Sequence, residues 1–179
     1  MKTVLFVLRL ALTLLAITAV VAVALAGVNM ITAPAIAELN AQNTQAAIEA
    51  VLPGGGEELA SFPAVNLVSK VYASDAGYAV QVTPGGFDNT ITMMVGVDKS
   101  GNVLGIDVIS HTETAGLGAV SDADTPAGIA FREQFKGASG SVSVTKDGGQ
   151  MDAITGATIT SRAVCAGVNA ALECVAQMG

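Results

Sequence analysis

The sequence predicts an α+β protein: a single N-terminal transmembrane helix, then a mostly antiparallel sheet domain with flanking helices. Three patterns carry that reading. A charge-free apolar run lies near the N-terminus, alternating segments follow in pairs joined by turn residues, and the C-terminus shows a helical apolar stripe. Strands gathered in hairpins, with helices at the ends, favour segregated α+β over an alternating parallel sheet.

The apolar run is the clearest element. Leu10 to Val28 gives 19 residues without a charge, and Val4 to Leu8 extends the run across Arg9. At 1.5 Å per residue this reaches about 28 Å, close to the hydrocarbon thickness of a bilayer. Lys2 and Arg9 stand on its N-terminal side, and no basic residue follows until Lys70. The positive-inside rule then places the N-terminus in the cytoplasm and the chain beyond about residue 30 outside the inner (plasma) membrane. A cleaved signal peptide is the alternative, since Ala24-Leu25-Ala26 has the small-x-small form of a cleavage site. The run is longer than a usual signal core and continues through Met30 and Ile31, which favours an uncleaved anchor.

Charge narrows the function. Beyond position 30 six basic residues face fifteen acidic ones, a formal charge of −9. With no basic cluster to neutralise a polymer's phosphates, nucleic acid is excluded as a partner. Metal ligation is equally unsupported: His111 is the single histidine, and Cys165 and Cys174 form no CxxC pair. Nine positions apart on one helix, the two cysteines are separated by roughly 13 Å of rise and cannot form a disulfide.

After the span, Ala37 to Leu52 reads as a helix stopped by Pro53-Gly54-Gly55-Gly56, a stalk continuing to about Phe62. The predicted division is therefore 1–30 for the cytoplasmic end and anchor, 31–62 for the stalk and 63–179 for the extracytoplasmic domain. Lys70 to Thr83 forms a hairpin turning at Asp75-Ala76-Gly77. Thr90 to Asp98 and Val103 to Ser110 form a second, joined by Lys99-Ser100-Gly101-Asn102. Next come a glycine-rich loop from His111 to Asp124, a short helix opened by Pro126 and running through Phe135, and a strand from Ser141 to Thr145. The last helix runs from about Thr160 to Met178. Val164, Val168, Ala171, Val175 and Met178 line one face of it, set against the sheet.

Two stretches carry chemistry. Asp152-Ala153-Ile154-Thr155-Gly156-Ala157-Thr158-Ile159-Thr160-Ser161 is a small-residue turn feeding the last helix. Gly156 and Ala157 let a bulky group approach the backbone, and the helix start offers free N–H donors and a positive dipole end. Read physically, this is a phosphate site at a helix start, or an ordinary N-cap by Thr158 or Thr160. The second stretch is His111-Thr112-Glu113-Thr114-Ala115-Gly116-Leu117-Gly118.

Thr155-Gly156-Ala157-Thr158, with Asp152 three residues ahead, resembles the flavinylation motif of the FMN-binding domain family. The resemblance implies covalent FMN joined as a phosphoester to Thr158, installed by an FAD-dependent flavin transferase, with Asp152, Thr155, Gly156, Ala157, Thr160 and Ser161 around it. The loop from His111 to Gly118 is similar to the H-x-E-T-x-G-L-G loop of that family, with Ala115 where relatives often carry proline. It implies further flavin contacts from His111, Glu113, Thr114, Gly116, Leu117 and Gly118. The alternative is loop architecture, with Glu113 capping backbone donors. If Gly116 and Gly118 open the way to the ring, Gly118→Val leaves the flavin attached and shifts its potential.

The order of parts resembles the G subunits of Rnf-type electron transport complexes. That implies electron relay within a membrane assembly of redox subunits coupling ferredoxin and NAD to sodium or proton movement. The C subunits of sodium-pumping NADH:quinone oxidoreductases share the motif but are usually longer. A stand-alone extracytoplasmic flavin reductase and a flavin-free anchored binding module are the remaining readings. No nucleophile–base pair for independent hydrolysis is visible, so no residue is expected to be catalytic apart from the flavin.

Overall fold

The computed structural model describes residues 2–178, with side chains from Leu5 onward; the Lys2 side chain, one of two charges used to orient the span, lies outside the described residues. The chain divides into two compact units, Met1–Gln42 and Asn43–Gly179. The helix α1, Lys2–Val51, covers the first unit and enters the second. The sequence divided span from stalk at residue 30, but the helix is unbroken there and accommodates Pro34 in its interior.

In the first unit, the described apolar side chains of α1, from Leu5 to Leu39, are exposed. The helix is long and apolar enough to cross a membrane. About 20 residues suffice for that crossing.

The second unit is built on an antiparallel meander. Its strands are β1 (Glu57–Glu58), β2 (Val68–Ala73), β3 (Gly77–Val82), β4 (Thr92–Asp98) and β5 (Val103–Ser110). They lie side by side in chain order, each pair antiparallel. Tight turns at Ser74–Ala76 and Lys99–Asn102 join the central strands, the second held by Asp98, whose carboxylate accepts from the Ser100 and Asn102 backbone N–H groups. Both sheet faces are covered. Thus β4 is buried at five consecutive positions instead of alternating, as happens when layers pack on both sides.

One face carries the main core. There α3 (Thr158–Met178) lies across β2, β3 and β4, and α2 (Pro126–Glu133) lies against β5. Val80, Val82, Met93, Val95, Val164, Val168 and Phe135 are among the fully buried side chains of this layer. The other face is closed by the last turns of α1: Ala47, Ile48, Val51 and Leu52 pack with Tyr72, Ala79 and Met94. The sequence placed this helical stretch in a stalk; its apolar face belongs to the sheet domain because that face would otherwise stand in water. The contact depends on Gly96, where a β-carbon would come within 2.2 Å of the Val51 carbonyl oxygen. Gly96→Ala is accordingly expected to cost about 1–3 kcal/mol as an overpacking change, read as a lower urea midpoint. An unchanged midpoint would show that the helix end yields freely.

Two expectations need correction. Ser141 to Thr145 is not a strand: only Val144 pairs, in an isolated parallel bridge to Met151, and a 3-10 turn at Thr145–Asp147 follows. Asn169 on α3 holds this segment by bonding both the N–H and the carbonyl of Val142, which replaces a strand partner. The strand Glu57–Glu58 escaped the sequence reading because two residues offer no periodicity to detect. Cys165 and Cys174 are free and buried, and burial pushes the Cys165 thiol up to about 11 and raises that of Cys174.

Candidate flavin site

The site lies where three distant segments meet at the start of α3. Thr155-Gly156 makes a turn closed by the Ala157 N–H donating to the Ile154 carbonyl. Gly156 adopts φ +78°, a left-handed conformation that glycine accepts without strain. Ser161 fixes the turn from inside: its hydroxyl donates to the Ala157 carbonyl at 2.9 Å and accepts from the Ile154 N–H at 3.0 Å. The chain then enters α3 with Thr158 as the first helical residue.

Neither threonine hydroxyl at this helix start is seen capping a helical N–H. Thr158 Oγ1 accepts from Lys146 Nζ at 3.1 Å, and Thr160 Oγ1 donates to Glu113 Oε2 at 2.5 Å. Glu113 is the hub. Only 8% exposed, it accepts at Oε1 from the Phe87 N–H at 2.7 Å and more weakly from that of Asp88. Two glycines clear space for its carboxylate. A β-carbon on Gly86 would fall 2.2 Å from Oε1, and one on Gly118 would fall 2.3 Å from Oε2. Glu113 therefore ties the 86–88 loop, the 111–118 loop and α3 together. His111 supports it from behind, its Nδ1 accepting the Glu113 N–H at 3.1 Å while Nε2 faces Asp122 at 3.8 Å.

Around this hub opens a cavity of about 260 Å³. Its walls include Glu113, Thr114, Leu117, Gly118, Gly156, Ala157, Thr158 and Thr160, eight of the residues singled out from sequence. Three lie elsewhere: Asp152, Thr155 and Gly116 line a neighbouring cavity of about 430 Å³, beyond the point where Leu117 approaches Gly156. His111 and Ser161 line neither, and both act on the loops behind the wall.

Three wall residues were missed in the sequence. Phe87, Lys146 and Ile159 belong to separate segments, and only the fold brings them to one rim. Phe87, Leu117 and Ile159 remain 68%, 42% and 49% exposed although they are large and apolar. Such a rim suits a planar aromatic ligand lying across it, and a bound ring would give these side chains apolar cover. A hydroxyl at a helix N-terminus beside a lysine suits a phosphate group. The donor set and rim therefore fit a flavin mononucleotide. The Gly86-Phe87-Asp88-Asn89 turn was the available signal for the first missed residue, while Lys146 had none.

The part of the chain that the FMN-binding domain family matches, residues 86–173, takes in β4 and β5 of the antiparallel sheet and the start of α3 with this cavity. The similarity extends well beyond that segment. The chain is 32% identical over 194 residues to the G subunit of the Na(+)-translocating ferredoxin:NAD(+) oxidoreductase complex of Acetobacterium woodii, covering 93% of this chain and 90% of the relative. It is 33% identical over 158 residues to the G subunit of the proton-translocating ferredoxin:NAD(+) oxidoreductase complex of Clostridium ljungdahlii, covering 83% and 80%. With the G subunit of the ion-translocating oxidoreductase complex of Vibrio vulnificus, identity reaches 42% over 97 residues, about half of each chain. This chain belongs to the family of G subunits of ion-translocating oxidoreductase complexes, and it carries that family's FMN-binding domain.

Proposed function

We propose that this chain is the membrane-anchored flavoprotein subunit of an ion-translocating ferredoxin:NAD oxidoreductase complex, relaying electrons through FMN held as a phosphoester on Thr158. The observation that carries the reading is the meeting of two motifs in one wall. Thr158 lines the same cavity as Glu113, Thr114, Leu117 and Gly118, more than 35 positions earlier in the chain. Bound there, FMN supplies one- and two-electron transfer. The protein's own part is to tether, orient and shield. Thr158 offers the oxygen, Glu113 holds the three wall segments in register, and Phe87, Leu117 and Ile159 give the ring an apolar seat.

Attachment requires help from another protein. The side-chain partner of Thr158 is an ammonium group, which cannot accept a proton, and the nearby Glu113 carboxylate is engaged by Thr160, Phe87 and Asp88. A base for the Thr158 hydroxyl is thus supplied from outside, consistent with an FAD-dependent flavin transferase as maturation partner. Intact mass measurement of the purified chain tests the proposal. Covalent FMN adds about 438 Da, FMN less one water, and peptide mapping must place that mass on Thr158. An unmodified chain from cells that contain the transferase would reject it.

The same proposal puts the sheet domain outside the cytoplasm, with Arg9 on the cytoplasmic side of the span. A cysteine introduced at exposed Asp75 should react with a membrane-impermeant maleimide in intact spheroplasts. Background from Cys165 and Cys174 will be low, because both are buried and their thiols are pushed up. Labelling only after lysis would reverse the orientation.

A further inference from the structure

We propose that Lys146 is the counterion of the Thr158 phosphodiester, a positioning residue that receives the flavin phosphate and then holds it; this rests on Thr158 as the attachment residue. Lys146 Nζ lies 3.1 Å from Thr158 Oγ1, on a 3-10 turn just before the 148–157 loop that leads into α3. The partner of this ammonium group is that hydroxyl, not a carboxylate. Its nearest acidic neighbour in sequence, Asp147, is taken: Arg162 grips it through two bonds of 2.7 and 2.6 Å. Arg162 stands one turn after Thr158 on α3 and holds the Asp147 carboxyl below its usual range, so Asp147 stays paired and charged. Asp147 therefore acts on Lys146 only at longer range, and the contact that Lys146 itself makes, beside the helix N-terminus, is to the Thr158 hydroxyl.

That arrangement answers a change in charge at one atom. In the transfer, Thr158 Oγ1 forms a bond to the flavin-side phosphorus of FAD while the bond from that phosphorus to the bridging oxygen breaks. AMP leaves with that oxygen and the electron pair, and the hydroxyl proton passes to the transferase's base. The resulting diester carries one negative charge on its non-bridging oxygens, and its ester oxygen is a poorer acceptor than the hydroxyl was. Lys146 then exchanges a hydrogen bond to a neutral hydroxyl for one to a charged phosphate oxygen, in which donor and acceptor carry opposite charges. The α3 N–H groups act on the same charge from the helix side. Lysine serves here as a point charge on a flexible stem, able to follow the phosphate as it arrives.

The test uses the full-length chain in membranes with its transferase and FAD, comparing wild type, Lys146→Gln and Lys146→Arg. Initial attachment rates come from in-gel flavin fluorescence, and unfolding midpoints are taken with and without attached flavin. Lys146→Gln should slow attachment about tenfold while leaving the midpoint of the flavin-free protein unchanged, since Lys146 is exposed. It should also remove most of the stabilisation that flavin confers, and that stabilisation should become insensitive to salt. Lys146→Arg should restore both readouts, which a merely structural role would not require. A wild-type rate and an unaltered, salt-sensitive stabilisation in Lys146→Gln would overturn the inference while Thr158 still carries the flavin. Mapping of FMN to a residue other than Thr158 in wild type would overturn the attachment reading and this inference together.

Discussion

Replacing Thr158 with alanine is expected to eliminate covalent flavin and leave the domain folded. The side chain is half-buried at the first position of α3, and the hydrogen bond it loses is to an exposed lysine. Alanine is the best helix former, so the stability cost should stay within about 1 kcal/mol. Flavin attachment, by contrast, should fall to nothing, because the other hydroxyls near the cavity stand elsewhere: the exposed Thr114 is on the 111–118 loop and not at the start of α3. Thr160 is 1% exposed and committed to Glu113, and Ser161 is fully buried in the turn. The mass of the variant should match the bare chain, and its band in a denaturing gel should not fluoresce. Thr158→Ser, which keeps the oxygen, should retain the label. A fluorescent alanine variant would sink the attachment residue, whatever its stability.

Gly118→Val is the second change with a large expected effect, and the structure alters what that effect is. Read from sequence, this substitution spares attachment and shifts the flavin's potential. In the folded chain the added β-carbon meets the protein itself, 2.3 Å from Glu113 Oε2 and 2.6 Å from Thr160 Oγ1. Relief requires displacing a nearly buried carboxylate that holds three segments. Overpacking of this kind costs about 1–3 kcal/mol, and each buried polar group left unpaired adds about 1–3 kcal/mol. The expected result is a clearly lower urea midpoint together with poor flavin incorporation. Gly116→Ala is the comparison. It has φ +76° and open space around the β-carbon position, so backbone strain alone acts, worth about 1 kcal/mol. If Gly118→Val retained the wild-type midpoint and changed only the potential, the Glu113 hub would not be holding the wall.

These two results divide according to what local pattern can encode. The long apolar helix was legible because the capacity to cross a bilayer is a property of composition over consecutive residues. The hairpin at Lys99–Asn102 was legible because Asp98 and Gly101 satisfy that turn from within the turn. Thr158 stood out because a small-residue turn before a helix has a local chemical meaning. The terminal helix was placed to within two residues of its start, since its apolar stripe repeats at helical spacing.

What needed the fold depends on long-range proximity. Glu113 meets Thr160 across 47 positions and Phe87 across 26, and no periodicity announces either contact. The last turns of α1 looked like a stalk because an apolar helical face does not name its partner. Only the sheet supplies Tyr72, Ala79 and Met94 to cover it. The purpose of Gly86 and Gly118 was likewise invisible, since the atoms they make room for come from Glu113. The sequence by itself singled out the residue proposed to carry the flavin, a matter of one hydroxyl and its neighbours. The tertiary structure decided what surrounds it, because burial assigned Glu113 to the wall and chain packing brought Lys146 to the hydroxyl.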